Sequence, residues 1–236
     1  MENIVAIIHA RGGSKRIPLK NIQKINNIPL IAFPIKLSQS ISDISRVIVS
    51  TDNQDIKEIA LSYGAEVPFT RPPDISEDVA SELVTDHAIK FLIKEENFTP
   101  DIAITLTPCH PFTKASHIKE GLELLKKNDD WDSVITVKNL SEYPQWMVDY
   151  QKGKPCKTIL GNPLDGDYNI SQKLKKYYYL HGAYFMNRVQ PFLKNPSLYG
   201  KKWGAVFFED EYHIDIDTPD DLQKARKIAK EVNLKI

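Results

Sequence analysis

An α/β fold built on a mostly parallel sheet is predicted by three features of this sequence. Short β-rich runs alternate with helical patterns along most of the chain, as crossover connections between parallel strands require. The first run, Ile4 to Ile8, is continuously apolar and reads as a buried strand. The length, 236 residues, suits one α/β domain or one carrying a sizeable insertion.

In chain order, strands are expected at Val5–His9, Val47–Thr51, Glu66–Thr70, Ile102–Thr107 and Ser133–Lys138. Helices are expected between them at Pro29–Gln39, Gln54–Ser62, Ala80–Glu95 and Lys114–Asn128. Pro34 should kink or shorten the first of these, because an interior proline removes a hydrogen bond and clashes with the preceding turn. Asp52 or Asn53 can cap the second helix, and Gly64 can close it. From about Tyr143 to Tyr178 prolines, glycines and polar residues break the alternation and suggest a hairpin-rich insertion. Its Trp146, Met147, Tyr150, Tyr177, Tyr178 and Tyr179 are too apolar for a merely solvated loop and need a partner surface.

Charged residues balance at 31 basic and 31 acidic, so no global field favours nucleic acid or an anionic membrane. No apolar run approaches bilayer length, and the chain enters a strand too soon for a signal peptide. The two cysteines, Cys109 and Cys156, offer neither metal-ligand spacing nor a disulfide framework, and a reducing cytoplasm is the expected compartment.

The stretch Ala10-Arg11-Gly12-Gly13-Ser14-Lys15-Arg16 follows the first strand directly and continues to Lys20-Asn21. Two glycines allow a tight turn that presents backbone N–H groups to an anion. Arg11, Lys15, Arg16 and Lys20 crowd the same loop, a density of positive charge that calls for solvation or a polyanion. A triphosphate suits it, although the spacing is neither Walker A nor the dinucleotide fingerprint. Near the other end, His213-Ile214-Asp215-Ile216-Asp217-Thr218-Pro219 alternates carboxylates with isoleucines. At a strand end the two aspartates would share one face, where hard carboxylates can hold Mg²⁺. Helix capping competes as an explanation, but Thr218 with Pro219, Asp220 and Asp221 suffices for a cap and leaves Asp215 unexplained. His213 reads as structural.

The loop motif resembles that of the cytidylyltransferases that activate acidic sugars: sialic, pseudaminic, legionaminic and ketodeoxyoctonic acids. Ala10, Arg11, Gly13, Ser14, Lys15, Lys20 and Asn21 match its pattern, and Ile214-Asp215-Ile216-Asp217-Thr218 is similar to the string that closes the family. Between them, Val47 to Asp52, Tyr63 to Phe69 and Arg71-Pro72 fall in the family's order, so the resemblance spans nearly the whole chain. It implies a single Rossmann-like nucleotidyltransferase domain over residues 1–236, with residues 143–180 as an inserted arm that makes a homodimer. The implied reaction is attack of an acidic 2-keto sugar hydroxyl on the α-phosphorus of CTP, releasing pyrophosphate. Arg11, Lys20, Asp215 and Asp217 are the implied catalytic residues, the two aspartates carrying magnesium. Ala10, Arg11, Gly12, Gly13, Ser14, Lys15, Lys20, Arg71, Ser81 and Glu82 are expected at the nucleotide.

The chain departs from the sialic-acid pattern where the sugar is chosen. Thr107-Pro108-Cys109-His110-Pro111-Phe112-Thr113 replaces a string that ends in arginine and holds a glutamine. Trp146 and Tyr179 stand where a lysine and an arginine are usual, and pseudaminic-type enzymes also lack the glutamine and arginine of the first motif. Thr107, His110, Trp146, Tyr179 and His181 are the sugar-site candidates; His110 is a base, a contact or a plain loop histidine, and His181 carries the same ambiguity. Cys109 reads as a wall residue rather than a nucleophile. Glu82 replaces a serine; it accepts from the cytosine amino group or equally from guanine, or simply sits in a helix's first turn. A nucleotidyltransferase using GTP, or a sugar phosphate or other small acidic acceptor, is therefore the rival enzyme. A catalytically silent nucleotide binder is the rival from another class, opposed by the joint presence of Arg11, Lys15, Lys20, Asp215 and Asp217.

Overall fold

The computed structural model describes residues 2–140, 142–208 and 214–236; His213 lies outside them. In chain order the elements are β1 (Ile4–His9), β2 (Lys24–Ile25), β3 (Ile28–Pro29), α1 (Ala32–Gln39), β4 (Ile44–Ser50), α2 (Gln54–Ser62), α3 (Ser81–Glu96), β5 (Ile102–Leu106), α4 (Ala115–Lys127), β6 (Ser133–Asn139), β7 (Val148–Asp149), β8 (Lys157–Thr158), β9 (Tyr178–Arg188), α5 (Val189–Lys194), β10 (Trp203–Phe208) and α6 (Pro219–Glu231). Six strands form one sheet in the order β10-β6-β9-β5-β1-β4. β1 runs parallel to β4 and β5, and β10 parallel to β6; only β9, wedged between β5 and β6, is antiparallel. The mostly parallel α/β class is thus as the sequence predicts.

β1 explains why the sheet is covered on both faces. Its residues alternate sides, and both sets are apolar: Ile4, Ala6 and Ile8 join the α1, α2 and α4 side, with Ile35, Ile56 and Leu122. Val5 and Ile7 join the α3 and α5 side, with Ile89, Leu92 and Phe192. Each such side chain taken from water contributes about 1.5–3 kcal/mol, so this strand is the least replaceable part of the core. A third cluster sits beneath the loop after β1, where Ile17, Leu30, Phe33, Phe112, Ile216 and Leu222 meet.

Three expectations are corrected, and one left open between two residues is decided. The strand expected at Glu66–Thr70 reduces to one bridge between Ile48 and Glu66; Pro68 has no N–H with which to extend the ladder. The first helix starts at Ala32 rather than Pro29, which belongs to β3, so Pro34 falls within its first turn, where a missing N–H removes no intrahelical bond. The capping role falls to Asn53 alone, whose side chain accepts the Ile56 N–H at 3.0 Å, while Asp52 turns elsewhere. Tyr178 and Tyr179, assigned to the insertion, begin the longest strand of the sheet. Within residues 143–180 the remaining structure is the small β7–β8 hairpin and short 3₁₀ turns.

β9 is irregular where it matters. Its register against β6 shifts between Ile135, opposite Phe185, and Val137, opposite Leu180. Gly182 lies in this bulge with φ of +75°, a conformation that suits glycine. The Ala183 N–H, having lost a ladder partner, donates to Thr136 Oγ1 at 3.1 Å, both residues being buried. The same bulge sets the direction of His181, next to Gly182. Thr136→Val keeps the shape and strands that N–H, so it should lower unfolding free energy by about 1–3 kcal/mol in urea titrations; an unchanged midpoint would contradict this role.

Candidate active site

The sheet fixes the site by its topology. Chain order moves from β1 outward to β4, then returns to β5 on the other side of β1. Loops leaving the C-terminal ends of β1 and β5 therefore part, and a cleft opens between them, where α/β sheets bind ligands. The cleft holds about 370 Å³ and is lined by, among others, Arg11, Lys15, Lys20, Arg71, Thr107 and Asp217.

Backbone ties hold the cationic loop in place. Ala10 N–H donates to the Ser50 carbonyl at 3.0 Å, and Asn21 Nδ2 donates to the Arg11 carbonyl at 2.8 Å. The Gly12 N–H is spent on Asp52 Oδ1 at 2.8 Å, a departure from the expectation that both glycine amides face the anion. Glycine is needed at 12 for space, since a Cβ there would come within 2.9 Å of Asn53 Cβ. Gly13 has nothing within 4 Å of where its Cβ would stand. Leu19 takes a left-handed φ of 48° and turns the chain so that Lys20 points back across the cleft.

Two carboxylates receive the four cations. Arg11 and Lys15 pair with Asp78, in the loop before α3, the lysine at 2.6 Å. Hydrogen bonds from Lys15 and Arg11 hold the Asp78 carboxyl at a pKa of about 2, so it remains charged at any working pH. Lys20 Nζ reaches Asp217 at 3.1 Å and the Ile216 carbonyl at 2.8 Å, and Arg16 lies 3.5 Å from the same carboxylate. Pairs as exposed as those of Asp78 contribute little stability, so a polyphosphate with several negative oxygens can displace them.

Arg71 is buried, donating to the Ser50 carbonyl at 2.6 Å and to Ser50 Oγ at 3.1 Å. Burial, with Arg11 nearby, lowers its pKa to about 10, which still leaves it charged at neutral pH. His9 is held neutral beside it, its pKa brought to about 3 by burial and by Arg71, and its Nε2 lies 3.1 Å from Thr85 Oγ1.

The aspartate segment, residues 214–217, lies outside any strand or helix. The expected alternation survives nonetheless: Ile216 is fully buried, Asp215 is exposed and Asp217 half-buried. Ile216 N–H donates to the Cys109 carbonyl at 3.0 Å, stitching the segment to the loop after β5. Helix α6 is capped by Thr218 and Asp221 in a reciprocal box, so neither Asp215 nor Asp217 is consumed as a cap. Asp217 lines the cleft, whereas Asp215 is not among the lining residues and lies beside His110. Each is a hard, partly exposed carboxylate of the kind Mg²⁺ takes one or two of, filling its other positions with water and phosphate oxygens.

The remaining candidates divide. Ser14, Ser81 and Thr107 line the cleft, whereas Glu82 sits in the first turn of α3 and is not among the lining residues. His110 is buried behind the cleft, Nε2 3.8 Å from Asp215, its ring 4.9 Å from that of His181. His181 stacks on Phe208 at 5.1 Å. Burial keeps both imidazoles neutral, at about 4 for His110 and about 3 for His181. Trp146 donates its indole N–H to the Tyr168 carbonyl at 2.7 Å and packs on Tyr143, and Tyr179 is exposed beneath Lys138; neither lines the cleft. Sequence reasoning missed Asp78 and read Asp52 only as a helix-cap candidate; the fold brings Asp78 to Arg11 and Lys15, and Asp52 to the Gly12 N–H.

Comparison with known proteins agrees with this geometry. A family model described as Cytidylyltransferase matches residues 5–234. The post-translational flagellin modification protein B of Campylobacter coli is 30% identical over 99% of this chain and 98% of its own length. The CMP-N,N'-diacetyllegionaminic acid synthase of Legionella pneumophila is 30% identical over 96% of each chain. Among solved structures, a CMP:2-keto-3-deoxy-manno-octonic acid synthetase complexed with CTP shares the fold with a TM-score of 0.71 at 16% identity, covering 98% of this chain and 99% of that one.

If Asp78 occupies the cations that a polyphosphate needs, Asp78→Asn should tighten binding of inorganic triphosphate about two- to fivefold in low-salt calorimetry. Weaker binding would make Asp78 part of the ligand site instead.

Proposed function

We propose, from the premise that this chain belongs to the cytidylyltransferase family, that it transfers CMP from CTP to the anomeric hydroxyl of an acidic 2-keto sugar of the sialic, pseudaminic or legionaminic type. Pyrophosphate leaves, and the CMP-sugar serves surface glycan synthesis. The observation that carries the reading is the convergence of Arg11, Lys15, Arg16 and Lys20 on one cleft that Asp217 also lines.

The chemistry asks for position and charge rather than covalent help. As the sugar hydroxyl oxygen bonds to the α-phosphorus and its proton leaves to solvent, the bond to the β-phosphate bridge breaks and negative charge grows on the departing pyrophosphate. Arg11 and Lys15, on release from Asp78, bind the phosphate oxygens. Lys20, steered by the Ile216 carbonyl and Asp217, lies where charge develops. Arg71 presents a buried cation beside the loop, and Ser81 and Thr107 offer hydroxyls from two walls. Asp215 and Asp217 would hold magnesium, which would supply charge neutralisation at the phosphates.

The cytosine choice is supported by the family. No helix among the described residues is long and apolar enough to cross a membrane; a cytoplasmic setting suits a CTP-consuming enzyme with free cysteines. A homodimer formed through residues 143–180 is supported by their exposed Trp146, Met147, Tyr150, Ile159, Leu160 and Leu164. Light scattering should give twice the chain mass, falling to one chain in a Tyr150→Asp, Ile159→Asp variant; a monomeric native protein would remove the dimer.

Pyrophosphate release with Mg²⁺ should be confined to CTP among the four nucleoside triphosphates and to acidic 2-keto sugars among acceptors. Turnover with GTP or a sugar phosphate would overturn the substrate assignment. Lys20→Ala and Asp217→Asn should each lower kcat at least a hundredfold with unchanged circular dichroism; near-native turnover in either would remove that residue from the chemistry.

A further inference from the structure

We propose that Cys109, His110 and Asp215 form a binding site for a soft divalent cation of the zinc type at the rear of the cleft. Their ligand atoms, one thiol sulfur, one ring nitrogen and one carboxylate oxygen, all lie within 4.8 Å of one another. No spacing of the two cysteines suggested this, because the third ligand arrives from a segment more than a hundred residues away. The fold locks that segment in place through the Ile216 N–H on the Cys109 carbonyl, at 3.0 Å.

The donor set argues for the kind of ion. Magnesium takes oxygen ligands in octahedral array, whereas thiolate with imidazole and carboxylate matches zinc and its analogues. Metal–ligand bonds of about 2.0–2.3 Å put ligand atoms of a tetrahedral site about 3.5 Å apart. His110 Nε2 and Asp215 Oδ1 already stand at 3.8 Å, so side-chain rotation of about an ångström completes the site. Thr107 Oγ1, 3.1 Å from the Cys109 sulfur, supplies the outer hydrogen bond that metal-bound thiolates commonly have. Asp215 is exposed toward solvent, leaving the fourth position to water or to a substrate oxygen. Binding exchanges the thiol proton for the ion, and the proton leaves to solvent.

The site shares Asp215 with the proposed magnesium pair but stands whether or not that carboxylate serves the reaction. Where both ions are present, a zinc-type ion held by sulfur and nitrogen draws Asp215 away from the harder one.

Cobalt(II) added to the chelator-treated full-length protein under reducing conditions is the direct probe. A thiolate-to-cobalt charge-transfer band should saturate at one ion per chain, and zinc but not magnesium should abolish it. Cys109→Ser should lose the band, His110→Gln should weaken cobalt binding about tenfold or more, and Cys156→Ser should retain both band and affinity. Melting curves of each variant separate loss of ligand from loss of fold. Absence of the band in the native protein, or its persistence in Cys109→Ser, would overturn the proposal.

Discussion

The pairing of Lys20 with Asp217 is the contact on which this site depends. It joins residues 197 positions apart and draws the loop after β1 against the segment before α6. Neither partner is held by secondary structure of any length: Lys20 rides on a single 3₁₀ turn and Asp217 on an irregular stretch. What holds them is underneath. Ile17 and Ile216 meet in one apolar cluster with residues of α1 and α6, and the Ile216 amide is fixed to the loop after β5. Removing either charge would leave the other facing an unbalanced, half-buried wall.

From that contact the rest of the cleft follows as a problem of charge balance. Four cations in one loop cannot remain uncompensated at short range, and the protein supplies two carboxylates for them, Asp78 and Asp217. Asp217 is half-buried and tied into the fold, whereas Asp78 is exposed in a loop. Asp78, being the more exposed, is therefore the cheaper of the two for a competing polyanion to displace. The neutral histidines deepen this asymmetry. His9, His110 and His181 line or back the site without adding charge, because burial suppresses protonation of each.

Much of this was legible in the sequence, and the exceptions have physical causes. The cationic loop was visible because its glycines, cations and preceding strand are contiguous. The aspartate pair was visible because Ile216 between them had to turn inward, a local constraint that holds even without a strand. Lys20 opposite Asp217 could not be read from spacing, since only the position of β1 between β4 and β5 brings the two ends of the chain together. β9 was hidden because its aromatic start resembled an exposed insertion and Gly182 interrupts its pattern; its antiparallel place at the centre of the sheet is a tertiary fact. The opposite error at Glu66–Thr70 came from β-prone residues whose ladder Pro68 cannot extend. Asp78 carried no signal, being one acid among several before a helix.

A crystal structure of the protein soaked with CTP in the absence of acceptor tests the central claim most directly. Phosphate oxygens should lie on Arg11, Lys15 and Lys20, with Asp78 turned away and Asp217 still in contact with Lys20. Phosphates bound elsewhere, with the Arg11–Asp78 and Lys15–Asp78 pairs intact, would contradict the claim that this cleft is where the nucleotide is held.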